Sequence, residues 1–183
     1  MNMPLYIADL LIKAAEARSR SIGVPMVIAV SDQSGILQRY SRMDGAIQVS
    51  VEIAQDKAYT AALLQLPTHV FAPLVQPGGE FYGLQNTHNG RFVFFGGGMP
   101  LNLDGQLVAA LGVSGDSAAQ DMEVAGAAVQ AWEAISGLAK TIKQNGGVRQ
   151  DQQPRLIHDE QLNDRLALAK LLIQGAVCLA RHI

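Results

Sequence analysis

The chain has 183 residues, 49% of them hydrophobic and 16% charged, with a formal net charge of -2, which suits one folded domain and not a disordered chain. Lys and Arg are scattered, the single cysteine forms neither an internal disulfide nor a CxxC motif, and no run is apolar enough to cross a membrane. We therefore expect a cytoplasmic protein that binds neither nucleic acid nor membranes.

The first half of the chain predicts a helix, a hairpin and a second helix. The expected helices lie at residues 5–20 and about 48–65, and the expected strands at 26–30 and 36–40. Pro67 ends the second helix because proline cannot continue it. Thr68 is expected to cap a short helix, and a glycine-rich loop then extends to residue 90.

The second half predicts three further strands and a long helix. The strands are expected at residues 91–95, 101–103 and 106–113, with the Asp104-Gly105 turn signal between the last two. Ser117 and Gln120 have capping-box spacing, and the helix that they begin continues to about Lys143. Because the strands come as hairpins, the order predicts an α+β domain with helices packed on an antiparallel meander.

The C-terminal region predicts an addition to that domain. We expect a domain at residues 1–144, a polar linker at 145–157 and a further helix at 158–183. One side of this helix carries apolar residues at helical spacing, and these include Leu162, Leu166, Ile173 and Val177. Lys170 and Gln174 interrupt the run, so the helix is expected to serve packing or assembly and not membrane insertion.

Three consecutive glycines, Gly96, Gly97 and Gly98, are the most unusual local feature of the chain. Glycine permits positive φ and keeps side chains away, so another strand, a second subunit or a ligand must approach this backbone closely. Successive N–H groups could form an anion site, although the Lys-Ser/Thr pair of a phosphate loop is missing. Close packing and ligand contact both stay open.

Three charged residues are candidates for binding a polar ligand. Arg42 and Asp44 lie between the first hairpin and the second helix, where they could bind such a ligand or form a loop salt bridge. Lys57 lies among alanines in the second helix. Such a lysine usually extends to the surface, but if it points into a pocket it would bind a carboxylate.

Several motifs together resemble those of the GlcG/HbpS family, which includes the C-terminal domain of PduO and OrfY-type proteins. In chain order they are Ala29–Asp32 with Gly35, Arg42–Ala46, Lys57–Ala61, Gln76–Gln85, Gly96–Pro100, and Gly112–Gly115 with Gln120-Asp121. The resemblance implies a five-stranded antiparallel sheet, profilin-like in outline, that assembles into homo-oligomers. It also implies haem binding, in a family sometimes called haem-degrading, and accessory roles near cobalamin-dependent glycerol and diol metabolism.

Haem requires few protein donors, and the histidines limit the choice. None of the four histidines forms an HxxxH or HExxH pair, but axial ligation of haem needs only one good donor. His69 leads into the Pro-Gly loop and is the predicted metal ligand. Phe81, Tyr82 and the glycines of the 96–98 turn are the predicted cofactor-binding residues, because they offer a flat wall beside an apolar segment.

Two hypotheses about function follow. In the first, the protein is a non-catalytic, oligomeric accessory protein that binds haem or another tetrapyrrole. In the second, it is a small-metabolite sensor or enzyme that uses Arg42, Lys57 and the 96–98 turn for a carboxylated or phosphorylated ligand. The segment Gly112–Asp116 lacks the final glycine of a nucleophile elbow, so no catalytic residue is assigned.

Overall fold

A four-stranded antiparallel sheet between two helical layers forms the fold. The computed structural model describes residues 3–145 and 173–180. In chain order the elements are α1 (Leu5–Ile22), β1 (Val27–Asp32), β2 (Leu37–Arg42), α2 (Ser50–Leu64), β3 (Gly98–Leu103), β4 (Gln106–Ser114), α3 (Ala118–Gln144) and α4 (173–180). The strands lie in the order β2-β1-β4-β3, so β1 and β4 are central.

The alternation of β1 explains why helices cover both faces of the sheet. Successive side chains of a strand point to opposite faces. Ile28 and Val30 pack into the large core with α1 and α3, whereas Val27 and Ala29 pack against α2. Both sets are fully buried, which is why the segment reads as a continuous apolar run.

Helix α2 lies unusually close to the sheet. A Cβ atom on Gly112 of β4 would lie 1.9 Å from the carbonyl oxygen of Ala54, so only glycine fits at that position. The alanines of α2 that face the sheet, which include Ala54, Ala58 and Ala61, are fully buried. The small residues of both elements therefore let the helix backbone rest directly on β4.

The prediction of a fifth strand at residues 91–95 is wrong, because this segment pairs with no strand. Its backbone instead meets α2, where the Val93 amide donates to the Thr60 hydroxyl at 3.0 Å. Phe92 and Phe94 bury their rings in a cluster beside α2. The apolar pattern thus reflects an extended segment that packs on a helix. The sequence suggested that the three glycines follow the end of a strand, whereas Gly98 begins β3.

The loop between α2 and β3 consists of short 3-10 helical turns, at Thr68–Val75, Leu84–Asn86 and His88–Gly90. The first of these lies where the sequence predicts a short helix. The predicted capping box of α3 is confirmed, since the Gln120 amide donates to the Ser117 hydroxyl at 3.3 Å. The profilin-like outline stays a prediction.

Helix α4 packs against the first and third helices. Ala176 and Leu179 are fully buried in the same core as α1 and α3, and the Tyr6 hydroxyl donates to Gln174 Oε1 at 3.0 Å. Residues 146–172 and 181–183, which hold most of the predicted linker and of the predicted C-terminal helix, lie outside the described residues. Among the helices of the described ranges, none has the length and hydropathy needed to span a bilayer.

Candidate functional site

A cavity of about 520 Å³ lies between the loop after α2 and the 92–95 segment, and we call it the aromatic cavity. Its aromatic lining residues are Tyr82, Phe92, Phe94 and Phe95, and its amide side chains are Gln76 and Gln85. Phe92 and Phe94 are buried, whereas Tyr82 and Phe95 are 63% and 46% exposed. The aromatic wall therefore extends from the core to the solvent, and its size and apolar lining suit a small organic ligand.

Aromatic packing positions the loop that forms this cavity. The Phe71 ring centroid lies 5.9 Å from that of Phe81 and 6.2 Å from that of Phe94, in tilted arrangements that aromatic pairs favour. The Phe81 amide donates to the carbonyl oxygen of Leu74 at 3.0 Å, which closes the loop. Phe81 thus anchors the loop, while Tyr82 lines the cavity.

Gln85 provides an unsatisfied polar atom in this apolar setting. Its Oε1 is buried and has no hydrogen-bond partner among the described residues. A buried polar group without a partner costs roughly 1–3 kcal/mol, so such groups are rare in folded proteins. A ligand with a complementary polar group would remove that cost. Gln85 is part of the Gln76–Gln85 motif, but the sequence alone predicted no role for it.

Lys57 forms a buried ion pair that the sequence did not predict. Its Nζ lies 2.5 Å from Oδ2 of Asp121, and the two side chains are 0% and 3% exposed. The same nitrogen donates to the carbonyl oxygen of Val113 at 2.9 Å and lies 4.7 Å from the Phe95 ring centroid. The other carboxylate oxygen of Asp121 accepts from the Gly115 amide at 2.8 Å. Lys57 therefore binds an internal carboxylate, and not the carboxylate of a ligand that the sequence led us to consider.

Burial perturbs both ends of this pair. It lowers the pKa of Lys57, and the hydrogen bond and charge of Asp121 oppose that change. Burial likewise raises the pKa of Asp121, opposed by Lys57 and by backbone amides at Gly115 and Asp116. Burial is the largest cause of both pKa shifts. It acts by placing each group in a low-dielectric surrounding, which disfavours the charged form.

The glycine turn lies directly on the ion pair. Gly97 has a φ of 116°, and a Cβ there would lie 2.5 Å from the Val113 carbonyl oxygen and 2.9 Å from Lys57 Nζ. The Gly98 amide donates to the Thr68 hydroxyl at 3.1 Å, and that hydroxyl donates to the Phe95 carbonyl at 2.6 Å. Of the readings left open by the sequence, these contacts favour close packing at Gly97 and Gly98.

Arg42 and Asp44 lie in a different place from Lys57. Together with Glu16 and Arg20 they line a polar surface cavity of about 380 Å³ at the end of β2. Arg42 also donates to the Ala46 carbonyl oxygen at 3.1 Å. Lys57 does not line this cavity and is fully enclosed. The structure therefore brings Arg42 and Asp44 together but does not unite them with Lys57 in one site.

Neither His69 nor His88 is among the residues that line the aromatic cavity. His69 is exposed within the first 3-10 turn, does not line the cavity, and has no hydrogen-bond partner among the described residues. His88, to which the sequence gave no role, lies 2.8 Å through its Nδ1 from the Tyr59 hydroxyl. Within residues 3–145 and 173–180, no group of three or more His, Cys, Asp or Glu residues could hold a metal ion.

The chain is similar to several known proteins over most of its described length. An uncharacterised 15.0 kDa protein encoded between dhaT and dhaS in Citrobacter freundii is 40% identical over 134 residues, which are 73% of this chain and 94% of that protein. The corrinoid adenosyltransferase PduO of Salmonella typhimurium is 41% identical over 121 residues, or 66% of this chain but only 36% of PduO. The match to PduO is therefore partial.

A solved structure extends the similarity to three dimensions. The crystal structure of a PduOC complex with haem is 38% identical, with a TM-score of 0.69, and the match covers 71% of this chain and 94% of that chain. The family model described as haem-degrading protein HbpS-like matches residues 3–130. The resemblance noted in the sequence is thus confirmed, and the chain belongs to the HbpS-like family.

Proposed function

We propose that this protein binds haem, or a closely related tetrapyrrole, at the aromatic cavity, and that it is a non-catalytic accessory protein. The single observation that carries the proposal is the likeness to the PduOC complex with haem, at 38% identity over 94% of that chain. The family description as haem-degrading protein supports the same ligand class.

The residues of the cavity fit such a group. A porphyrin needs a broad apolar wall with few polar contacts, and the rings of Tyr82, Phe92, Phe94 and Phe95 provide one. Gln85 adds a side-chain amide to the lining, and its NH2 group could donate to a carboxylate of the ligand. When bound, haem would supply its iron for axial ligation, and this requires one protein donor. His69 remains the donor predicted from the sequence.

The setting in metabolism is part of the same proposal. PduO is a corrinoid adenosyltransferase, and the resemblance implied accessory roles near cobalamin-dependent glycerol and diol metabolism. We place the protein in that context as a homo-oligomer in the cytoplasm. The exposed apolar side chains of the loop after α2, which include Val70, Leu74 and Phe81, support assembly because such surface is costly to leave in water.

The alternative function, a sensor or enzyme for a carboxylated or phosphorylated metabolite, has less support. Its proposed cations do not converge, since Arg42 lines the polar cavity while Lys57 is enclosed and paired with Asp121. In this arrangement Lys57 would have to give up its internal carboxylate before it could bind another.

Absorption spectra of the full chain with ferric haem test the proposal. We expect a saturable Soret band distinct from that of free haem, and no comparable stabilisation by a panel of carboxylated and phosphorylated metabolites. Gln85→Leu should bind haem more weakly while the ligand-free protein is unchanged or stabilised, because an unsatisfied buried oxygen is removed. Gln55→Leu is a matched control, since Gln55 does not line the aromatic cavity and its amide already donates to the Val51 carbonyl oxygen at 2.8 Å. A metabolite that stabilises the chain without any Soret band would favour the alternative.

A further inference from the structure

The side chains that line the aromatic cavity are poorly suited to ligate an iron atom. Proteins hold haem iron through His, Cys, Met or Tyr side chains. Among the described residues that line the cavity, none is His, Cys or Met, and Tyr82 alone belongs to that set. His69, the donor predicted from the sequence, is exposed and is not part of the lining. The cavity therefore fits the ring of a tetrapyrrole better than it fits the iron.

Tyr82 contributes to the cavity as an aromatic ring. It is 63% exposed, so it extends the wall at the solvent side. A tyrosine ligates iron as a phenolate, and a neighbouring positive charge favours that charged form. No Lys or Arg is among the described residues that line the cavity. The lining thus supports stacking on Tyr82 and does not support ligation by its oxygen.

The described part of the lining is also uncharged. Its members are apolar or aromatic, apart from the amides of Gln76 and Gln85 and the hydroxyl of Tyr82. An ionised carboxylate is costly to bury unless it is paired, so the carboxylates of a ligand belong where water and the side-chain amides can reach them. The part of a ligand that this cavity can bury is a flat, uncharged ring.

Contacts among the aromatic residues hold the wall in place before any ligand binds. The Phe94 ring centroid lies 6.2 Å from that of Phe71 and 6.0 Å from that of Phe92, and Phe92 and Phe94 are buried. Lys57 Nζ lies 4.7 Å from the Phe95 ring centroid. A preorganised wall loses little conformational freedom on binding, so stacking and burial of a ring can supply affinity without a bond to a metal.

We propose that the aromatic cavity recognises the tetrapyrrole ring and not its metal, so that metal-free protoporphyrin binds as tightly as ferric haem. The gain from burial and stacking depends on the area and flatness of the ring, and these are shared by the two ligands. This inference rests on the proposed function, and it deepens that function by defining the ligand class as flat tetrapyrroles with or without iron.

The test compares the two ligands on the full chain. Porphyrin fluorescence follows metal-free protoporphyrin, and the Soret band follows ferric haem. We expect saturable binding of both, with dissociation constants that agree within about threefold, and displacement of haem by metal-free protoporphyrin. Tyr82→Phe and Tyr82→Ala should each change the two affinities by the same factor, because each variant alters the wall for both ligands. Tyr40→Ala removes a ring outside the cavity and should change neither affinity.

The outcomes separate this inference from the proposed function. If neither ligand gives saturable binding, the proposed function fails and this inference fails with it. If haem binds but the two affinities differ by more than about tenfold, haem binding stands and recognition of the ring alone is wrong. A preference for haem that disappears in Tyr82→Phe or in His69→Ala would assign ligation of the iron to that residue. Affinities for both ligands that Tyr82→Ala leaves unchanged would place the ring elsewhere on the chain and contradict both proposals.

Discussion

Lys57 of α2 and Asp121 of α3 form an ion pair across the end of β4, with Nζ and Oδ2 2.5 Å apart and both side chains buried. The pair joins three elements, because Lys57 also donates to the Val113 carbonyl and Asp121 accepts from the Gly115 amide. The glycine turn packs directly against it. The stability of this ion pair should therefore affect the position of Phe95, which lines the aromatic cavity.

We expect the losses caused by removing the two partners to be strongly non-additive. Lys57→Met or Asp121→Asn should each lower the free energy of unfolding by about 3–5 kcal/mol, because one buried charge is left uncompensated. The double variant Lys57→Met/Asp121→Asn should lose less than the sum of the two single losses. Urea unfolding of the four proteins measures this, and additive losses would show that the two side chains do not depend on each other.

The pH dependence of Asp121→Asn follows from the same burial. Without the carboxylate, the hydrogen bond and the charge that oppose the effect of burial are lost, so the pKa of Lys57 falls further below its ordinary value of 10.5. Between the lowered folded pKa and 10.5, the unfolded chain binds a proton that the folded chain does not, so stability rises with pH. Equivalently, the stability that Asp121→Asn has at high pH, where Lys57 is neutral, is lost as the pH falls through the folded pKa of Lys57.

Urea unfolding at about pH 7 and about pH 9.5, which is still below the ordinary lysine pKa, checks this sign. The free energy of unfolding of Asp121→Asn should increase with pH relative to the double variant Lys57→Met/Asp121→Asn, which lacks both titrating groups. An equal pH response in the two proteins would mean that Lys57 regains solvent in the absence of Asp121.

The sequence predicts the local elements well because their signals are local. The Asp104-Gly105 turn gives the β3–β4 hairpin, and Ser117 with Gln120 gives the start of α3. The strand predicted at residues 91–95 is wrong for a tertiary reason, since α2 buries its apolar run and Thr60 accepts from the Val93 amide. Strand periodicity alone cannot distinguish a sheet partner from a helix surface.

The candidate site was predictable only in part. The aromatic residues of the loop after α2 are evident in the sequence, and Tyr82 does line the aromatic cavity. The pairing of Lys57 with Asp121 joins positions 64 residues apart, so no spacing rule connects them. His88 likewise gains its partner from α2, and a lone histidine in a loop gives no sign of a tyrosine that the fold places beside it.

Gly97 is expected to be intolerant of any side chain. It combines a φ of 116° with crowding, since the nearest atoms to an added Cβ are the Val113 carbonyl oxygen and Lys57 Nζ. Gly97→Ala should lower the free energy of unfolding by more than the roughly 1–3 kcal/mol of backbone strain alone, and Gly97→Val by more still. Thermal and urea unfolding measure these losses.

Gly78→Ala is the matched control for that experiment. Gly78 has a φ of 87° but no atom within 4 Å of an added Cβ, so its variant reports backbone strain without crowding. Equal losses at positions 97 and 78 would contradict the account of the glycine turn.

The C-terminal region is expected to contribute packing or assembly and not the ligand site. In the described part, Gly175 lies beside Leu10 and Ile7, and Leu179 is fully buried. A chain that ends at Gln144 should keep its secondary structure but expose this face of α1, so its oligomer size or solubility should change. Circular dichroism and light scattering measure both. A soluble truncation with unchanged assembly size and stability would show that the region has no such role.

The central claim is that haem binds at the aromatic cavity, and one titration tests it most directly. Ferric haem is added to the full chain, to Tyr82→Ala, which removes an exposed ring of the cavity wall, and to Tyr40→Ala, which removes an exposed ring on β2 outside that wall. We predict a saturable Soret band for wild type and Tyr40→Ala, with clearly weaker binding for Tyr82→Ala. A spectrum that stays that of free haem at every wild-type concentration, or equal affinity in all three proteins, would contradict the account.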